Sequence, residues 1–277
     1  MITVVKADGS REPFQRKKVF RTCLRICGSS AVAEAVSREV EARVYDGIST
    51  KEILQMVFEL AAKHRPAIAH RTDLRMALSL LRSKPDFEGF IARLFEKLGY
   101  RVRRNLIIQG FCIEHEIDVL AFKGGEVVYV EVKHHVQPHR YVDLDVVEKI
   151  WATLLDLREG YEKGLHGFDI SKPLVATNTK LTWHASKYAR CRGVDIMCWN
   201  IPRGRSLEEL LVRFKMYPVT ILKGFNLETL YKVIDMGYMT LKELAEANPE
   251  GLSEKGLPGK TAKLLVEHAG KVLDAMP

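Results

Sequence analysis

Three charged side chains with a spacing suited to catalysis, Asp118, Glu131 and Lys133, lie on either side of a Gly-Gly pair. Gly124-Gly125 separates two runs rich in β-branched and aromatic residues, which is a strong signal for a two-residue β-hairpin. In that hairpin Asp118 lies directly opposite Glu131, with the two Cβ atoms about 5 Å apart. Two facing carboxylates destabilise a sheet unless a positive charge lies between them. The pattern therefore predicts a divalent cation site.

Lys133 follows Glu131 by two positions, so strand alternation places its ammonium on the same face as the carboxylate. There it can position a water molecule or stabilise negative charge that develops on a phosphate. Hydrolysis of a phosphodiester needs hard oxygen ligands for Mg²⁺ or Mn²⁺, a metal-activated water and a nearby cation. These side chains supply such parts, so we predict metal-dependent phosphodiester hydrolysis at this hairpin.

A chance arrangement of exposed carboxylates is the alternative. In the same register Lys133 faces Glu116, and an ion pair between these two side chains would leave no catalytic group. The neighbours of Glu131 are apolar and β-branched, which favours a buried setting in which unpaired charges are costly. The sequence therefore favours the catalytic interpretation.

The same residues resemble a known family of nucleases. Ile117-Asp118 followed by Val130-Glu131-Val132-Lys133 resembles the PD-(D/E)xK nucleases. Phe87-Glu88 with the later Leu98-Gly99-Tyr100 is similar to the first helix of their Mrr-like branch, which has the restriction-endonuclease-like fold. The resemblance covers about residues 86–202. It implies a DNA endonuclease that uses Mg²⁺ or Mn²⁺.

The resemblance also implies a role for each charged residue. Asp118 and Glu131 correspond to metal ligands, and Lys133 corresponds to the catalytic lysine. Glu88 corresponds to an additional acidic ligand. These four residues are the predicted active site.

Two histidines, His134 and His135, follow the lysine at positions where the Mrr pattern does not demand histidine. Strand alternation places His135 on the face of Lys133, where its ring could assist the metal. A histidine that faces DNA or solvent is the alternative, and we favour it.

The elements that must position these groups alternate between helix and strand. An amphipathic helix, capped by Asp86 and ended by Gly99, precedes the two strands of the hairpin. Further helices and strands are predicted in alternation, at 146–161, 173–177, 183–191 and 195–199. This order predicts an α/β domain with a mixed sheet over residues 86–213.

A different pattern occupies residues 1–82. A strand-turn-strand with its turn at 7–10 is followed by helices. One helix begins at the capping sequence Ser49-Thr50-Lys51-Glu52, and the last is predicted over 67–81. The segment holds 15 Lys and Arg against 9 Asp and Glu, so the positive charge of the chain lies mainly here. A compact polyanion would account for it, and a solvated basic surface is the alternative.

Residues 4–19 resemble the opening of the ATP cone, a nucleotide-binding regulatory domain of ribonucleotide reductases and of a bacterial repressor. The resemblance implies a β-hairpin over a helical bundle and ATP or dATP as regulatory ligand. It also implies that Lys6 and Lys18 contact phosphate, with Thr50 as a further candidate. Ala7 stands where the family often has arginine, which bears on the preference for ATP over dATP.

Residues 216–277 have the pattern of short helices joined by glycine turns, which predicts a small all-α tail. Residues 256–261 superficially match a phosphate-binding loop, but Glu254 occupies the position of its first glycine. The segment looks instead like a helix-hairpin-helix, whose backbone N–H groups contact DNA phosphates, with residues 236–241 as its first half. Because residues 214–277 carry no net charge, a protein-contact or structural role is an equal alternative.

The whole chain has 277 residues and a net charge of +8, which predicts an anionic partner such as DNA. No apolar run approaches the ~18 residues of a membrane span, so no membrane partner is expected. The chain does not open with a secretory signal, and five cysteines without a CxxC pair fit a reducing compartment. We therefore predict a cytoplasmic protein.

The leading hypothesis is a multidomain α/β protein acting as a nucleotide-responsive, metal-dependent DNA endonuclease, with domains at 1–82, 86–213 and 216–277. One alternative is an ATP- or dATP-controlled DNA-binding regulator whose nuclease fold no longer cuts. Another is a structure-specific repair or recombination nuclease with a vestigial nucleotide site. Double-strand cutting by a fold with a single active centre often needs two copies, so a homodimer is expected.

Overall fold

Ten strands, twelve α-helices, a π-helical turn (Ser83–Phe87) and a 3-10 turn (Val219–Ile221) form the regular structure of residues 2–6, 9–64 and 74–276, the part of the chain that this computed structural model describes. Numbered along the chain, the strands are β1 (Thr3–Val5), β2 (Arg11–Pro13), β3 (Ile48–Ser49), β4 (Arg101–Gln109), β5 (Glu114–Lys123), β6 (Glu126–Lys133), β7 (Tyr141–Val142), β8 (Lys172–Thr177), β9 (Lys180–Leu181) and β10 (Asp195–Met197). The helices are α1 (Arg16–Cys27), α2 (Ser30–Arg43), α3 (Thr50–His64), α4 (Leu74–Ser79), α5 (Glu88–Lys97), α6 (Leu144–Glu162), α7 (Trp183–Arg192), α8 (Leu207–Arg213), α9 (Leu227–Asp235), α10 (Leu241–Ala245), α11 (Pro249–Glu254) and α12 (Gly259–Ala275).

The chain divides into two compact units. One spans Leu74–Met216, and the other combines Met1–Asp73 with Tyr217–Pro277. Each contains both helices and strands, so the fold is the predicted multidomain α/β class. The three predicted domain boundaries stay predictions. Within the described residues, no helix is both long and apolar enough to cross a membrane.

Five strands form the main sheet of the unit Leu74–Met216, in the order β10-β8-β6-β5-β4. Strands β4, β5 and β6 pair antiparallel, and β8 and β10 extend the sheet in parallel, so the sheet is mixed as predicted. A short parallel pair of β7 and β9 is separate from it. Strand β4 was not predicted, because its outer position leaves most of its side chains exposed and removes the apolar alternation.

Helices α6 and α7 pack on the main sheet. Their buried residues, such as Leu154 and Ala185, form one core with Val175 of β8. Helix α5 packs against β4 and β5. The predicted cap of α5 by Asp86 is wrong: the helix begins at Glu88, and both oxygens of the buried Asp86 carboxylate bind the guanidinium of Arg82, at 2.7 and 2.8 Å.

The β5–β6 hairpin has the predicted turn and register. Gly124 and Gly125 have φ angles of +57° and +84°, which glycine adopts readily and other residues rarely do. Strand pairing then runs from Lys123 with Glu126 to Val119 with Val130. The hairpin therefore carries residues 118 and 131 to the same end of the sheet.

In the second unit, β1 pairs antiparallel with β2, as the predicted strand-turn-strand requires, and parallel with β3, which was not predicted. The predicted capping pair forms at the start of α3, where the Ser49 hydroxyl accepts a hydrogen bond from Glu52 N at 3.1 Å. Residues 7 and 8 of the predicted turn, and 67–73 of the predicted last helix, lie outside the described residues.

The carboxyl-terminal segment contains two turns of the same geometry. Gly237 joins α9 to α10 and Gly256 joins α11 to α12, with φ angles of +99° and +102°. In each turn the residue after the glycine donates its N–H to the carbonyl oxygen five positions earlier, at 3.1 Å. Two equivalent helix-turn-helix units follow one another here, consistent with the predicted tandem. Their identity as a helix-hairpin-helix stays a prediction.

Candidate active site

Asp118 lies where the β5–β6 ladder ends. Val119 and Val130 form the last backbone pair, so the ladder stops one pair short of the predicted Asp118–Glu131 pair. The Asp118 side chain continues the connection, because its Oδ2 accepts a hydrogen bond from Val132 N at 2.8 Å. Asp118 is 6% exposed. Burial raises the pKa of its carboxyl above the usual value, against the lowering effect of the Val132 hydrogen bond.

Glu131 is held by two neighbours on its own strand. Tyr129 Oη donates a hydrogen bond to Glu131 Oε2 at 2.7 Å, and Lys133 Nζ lies 2.7 Å from Oε1. Alternate residues share a strand face, so the three side chains meet there. Burial, and then the negative charge of Glu131, raise the pKa of Tyr129 well above its ordinary value, so the phenol remains a donor. The sequence analysis did not include Tyr129 in the site, although its position two residues before Glu131 puts both side chains on the same strand face.

Glu88 reaches the cluster from a different element. It is the first residue of α5 and only 4% exposed. Burial, followed by the charge of Asp118, raises the pKa of its carboxyl. The two carboxylates are therefore electrostatically coupled. The structure brings Glu88 to Asp118, as the resemblance to the nuclease family implies.

Lys84 is a second site residue that the sequence analysis missed. Its Nζ lies 2.8 Å from Glu116 Oε1, 3.3 Å from Glu88 Oε1 and 3.7 Å from Asp118 Oδ1. The hydrogen bond to Glu116 raises the pKa of Lys84 above its ordinary value. The alternative ion pair between Lys133 and Glu116 does not form, since each of these residues has another partner. Lys84 was overlooked because it precedes a proline at a predicted boundary, and its backbone is extended (φ −122°, ψ 135°), so no helical spacing signals its contact with Glu88.

The known hydrogen bonds of the two histidines after the lysine go to groups other than the carboxylates. His134 has Nδ1 3.0 Å from Ser83 Oγ and Nε2 2.9 Å from Leu78 O, so its ring joins β6 to the segment before α5. The backbone of His135 exchanges two hydrogen bonds with the Asn178 side chain. Burial lowers the pKa of both imidazoles, which favours their neutral forms.

Hard oxygen donors dominate this end of the sheet, yet the described residues contain no ready-made cage of three or more His, Cys, Asp or Glu for a metal ion. Mg²⁺ does not require one, because it is commonly held by one or two carboxylates together with water and substrate phosphate. Asp118 and Glu131 are buried carboxylates on adjacent strands, and burial disfavours the charged form of Asp118. The donor set therefore fits a hard divalent cation.

The predicted nucleotide residues lie near one another in the second unit. Lys6 Nζ is 3.0 Å from Glu12 Oε2 and Lys18 Nζ is 2.7 Å from Glu12 Oε1. Thr50 directly follows β3, and Lys6 directly follows β1, with which β3 pairs in parallel. Lys6 and Thr50 thus begin at the same end of the small sheet, and Lys18 shares the Glu12 carboxylate with Lys6. No part of this cluster is deeply buried.

Comparison with protein families accounts for two parts of the chain. The ATP cone domain family matches residues 2–76, and a restriction endonuclease family matches residues 82–203. The chain therefore contains an ATP cone domain and, after it, a restriction-endonuclease-like domain, and the mixed sheet lies within the second of these matches.

An uncharacterized protein of Archaeoglobus fulgidus is 36% identical over 183 residues, which are 66% of this chain and 99% of that protein. The chain belongs to the same protein family. A crystal structure of a protein of unknown function aligns with a TM-score of 0.59 and 31% identity, over 73% of this chain and 99% of that one. A repair endonuclease from Pyrococcus abyssi aligns with a TM-score of only 0.31 and 21% identity, over 42% of this chain and 46% of that one.

Proposed function

We propose that this protein is a divalent-metal-dependent DNA endonuclease whose activity responds to ATP or dATP. One observation carries the proposal: Glu88, Asp118 and Glu131 are buried carboxylates at one end of the main sheet, with the Lys133 ammonium 2.7 Å from Glu131. Burying several carboxylates together is costly without compensating charge. A structural role alone gives little reason for that cost.

Each residue then has a defined task. Asp118 and Glu131 hold Mg²⁺ or Mn²⁺, with Glu88 as a further acidic ligand. The bound ion supplies a Lewis acid and an activated water. Lys133 stabilises the negative charge that develops on the phosphate, and Tyr129 fixes the orientation of Glu131 by its hydrogen bond.

Nucleotide control is assigned to the ATP cone domain. Lys6 and Lys18 share the single carboxylate of Glu12, so a triphosphate can attract both ammonium groups without opposing a second acidic residue in this cluster. Thr50 is a further candidate for contact with the same phosphate groups. We further propose that the two glycine turns of the carboxyl-terminal segment contact DNA backbone as a helix-hairpin-helix, and that double-strand cutting uses a homodimer.

Two other functions have observations in their favour. The carboxylates have lysine partners, Lys84 and Lys133, which is compatible with a DNA-binding regulator whose nuclease fold does not cut. The paired glycine turns favour a structure-specific repair or recombination nuclease, since backbone contacts to phosphate read shape rather than sequence.

The test is cleavage by the full-length protein. Supercoiled plasmid, a branched junction and methylated duplex are incubated with Mg²⁺, with Mn²⁺ or with a chelator, each with and without ATP or dATP. The proposal expects metal-dependent cutting whose rate changes with nucleotide. DNA binding without cutting in every metal would support the regulator, and cutting confined to the junction would support the structure-specific nuclease.

A further inference from the structure

A lysine from the segment before α5 lies inside the carboxylate cluster of the candidate active site. Lys84 contacts Glu116, Glu88 and Asp118 with its single ammonium group, at 2.8, 3.3 and 3.7 Å. Lys133 is 2.7 Å from Glu131. The cluster is thus divided between two lysines, and Lys84 contacts the three carboxylates that come from α5 and β5.

We propose that Lys84 is a built-in counter-ion of the nuclease site, which a divalent cation must displace from Glu88 and Asp118. The inference rests on the metal site of the proposed function. An ammonium within 4 Å of a carboxylate oxygen occupies the space that a bound cation needs, and its charge repels a cation bound to the buried Glu88 and Asp118 carboxylates. Lys84 therefore lowers the affinity of the site for metal.

The contacts of Lys84 also indicate how its ammonium group can move away from Glu88 and Asp118. Its side chain is 55% exposed, and that of Glu116 is 61% exposed, whereas those of Glu88 and Asp118 are only 6% and 9% exposed. The shortest bond of Lys84 is thus to a carboxylate at the surface. A flexible four-carbon stem lets the ammonium move outward while it keeps Glu116 as its partner. A DNA phosphate near the site would offer the displaced ammonium a second anion.

A purely structural clamp is the competing explanation. Lys84 would then fasten the segment before α5 to β5, and its removal would weaken the fold with or without metal. The counter-ion role predicts a gain instead. Removal of the ammonium leaves the carboxylates intact and makes metal binding tighter.

The experiment measures Mn²⁺ binding to the full-length protein without DNA, from the electron paramagnetic resonance signal of the free ion. Lys84→Met removes the charge, Lys84→Gln is a second neutral variant, and Lys84→Arg keeps the charge. Lys172→Met is the matched control, because Lys172 also bridges two carboxylates, at 2.9 and 3.0 Å, that are not part of the cluster. We expect the two neutral variants to bind Mn²⁺ at least about tenfold more tightly than the wild type. The arginine variant and the Lys172 control should stay close to the wild type.

The thermal midpoint gives an independent measurement on the same samples. Mn²⁺ should raise the midpoint of Lys84→Met by more than it raises that of the wild type, since tighter binding stabilises the native state more. Equal or weaker Mn²⁺ binding by the folded neutral variants overturns the counter-ion role but leaves the metal site standing. If no folded variant binds Mn²⁺, both the counter-ion role and the metal site are overturned. Tighter binding without DNA cleavage in any metal would keep the counter-ion role and overturn only the nuclease activity.

Discussion

Two charged clusters in this molecule have opposite composition. Around Glu12, two lysines share one carboxylate, so the cluster carries a net charge of +1. At the end of the main sheet, four carboxylates face two lysines, so the net charge is −2. The members of this second cluster are Glu88, Glu116, Asp118, Glu131, Lys84 and Lys133. The first cluster therefore attracts an anion and the second a cation.

The clusters differ in burial as well as in sign. The Glu12 side chain is 25% exposed and that of Asp118 is 9% exposed. Hydrogen bonds from Lys18 and Lys6 lower the pKa of Glu12, whereas burial raises the pKa of Asp118. Water screens the imbalance around Glu12 at little cost. The net negative charge around the buried Asp118 is poorly screened by water. The lysines that neutralise it are therefore expected to affect ligand binding more than those around Glu12.

The largest expected effect comes from removing a buried carboxylate. Asp118→Ala or Glu131→Ala should lower plasmid cleavage at least about a thousandfold, because each removes a ligand of the ion that activates water. Folding and DNA binding should be largely kept. Asp195→Asn is a control, since Asp195 is a strand carboxylate that pairs with Lys172. Cutting that persists in either alanine variant would refute the site assignment.

Removal of the lysine beside Glu131 should have a smaller effect. Lys133→Ala should slow cleavage on the order of a hundredfold, because a cation that stabilises charge in the transition state is lost. The affinity for Mg²⁺ should change less than the rate, and single-turnover kinetics separate the two. Weaker DNA binding with unchanged turnover would instead identify Lys133 as a phosphate anchor.

Carboxyl titration tests the difference in burial directly. In the metal-free protein, NMR should show Glu88 and Asp118 titrating above their ordinary pKa values and Glu12 below its own. A raised carboxyl pKa means that the folded state takes up protons first, so this contribution to stability grows as pH falls through that pKa. The Glu12 contribution is present above the unfolded pKa and is lost as pH falls through the folded one. A pKa of Asp118 below that of Glu12 would contradict the expected difference between the two clusters.

The sequence could predict the hairpin because local chemistry determines it. Gly124-Gly125 specifies the turn, and the turn specifies which residues of β5 and β6 face each other. The position of Glu88 was available from the family resemblance alone, since nothing in its local pattern indicates that α5 meets β5. Strand β4 lacks apolar alternation because it lies at the sheet edge, and β3 has only two residues, so neither carried a periodic signal.

Lys84 shows the limit of local reasoning about a site. Its contact with Glu116 joins residues 32 positions apart, and it depends on how the segment before α5 packs beside β5. The sequence offered a plausible but wrong partner for Glu116 in Lys133, because hairpin register alone ignores side chains that arrive from outside the hairpin. Tertiary packing decided which lysine neutralises which carboxylate.

The smallest expected effect concerns the exposed cluster around Glu12. If its positive charge serves a triphosphate, ATP or dATP should raise the thermal midpoint by a few degrees at saturating concentration, because a ligand bound only to the native state stabilises it. Lys6→Ala and Lys18→Ala should each remove that shift. Lys271→Ala, which also removes a surface lysine paired with a glutamate, should leave it unchanged. A shift that survives both cluster variants would place the nucleotide elsewhere.

A core variant distinguishes loss of stability from loss of nucleotide binding. Val19 is 5% exposed and packs in the core of the second unit with Phe14 beside it. Val19→Ala should therefore lower the midpoint both with and without nucleotide, while the increment caused by nucleotide stays the same.

Control of the nuclease requires more than binding, because nucleotide shifts a conformational equilibrium only by its difference in affinity for two states. Cleavage rates measured against ATP and dATP concentration, in the wild type and in Lys18→Ala, decide it: a nucleotide effect that Lys18→Ala abolishes supports control, whereas binding with an unchanged cleavage rate leaves a nucleotide site without a regulatory role.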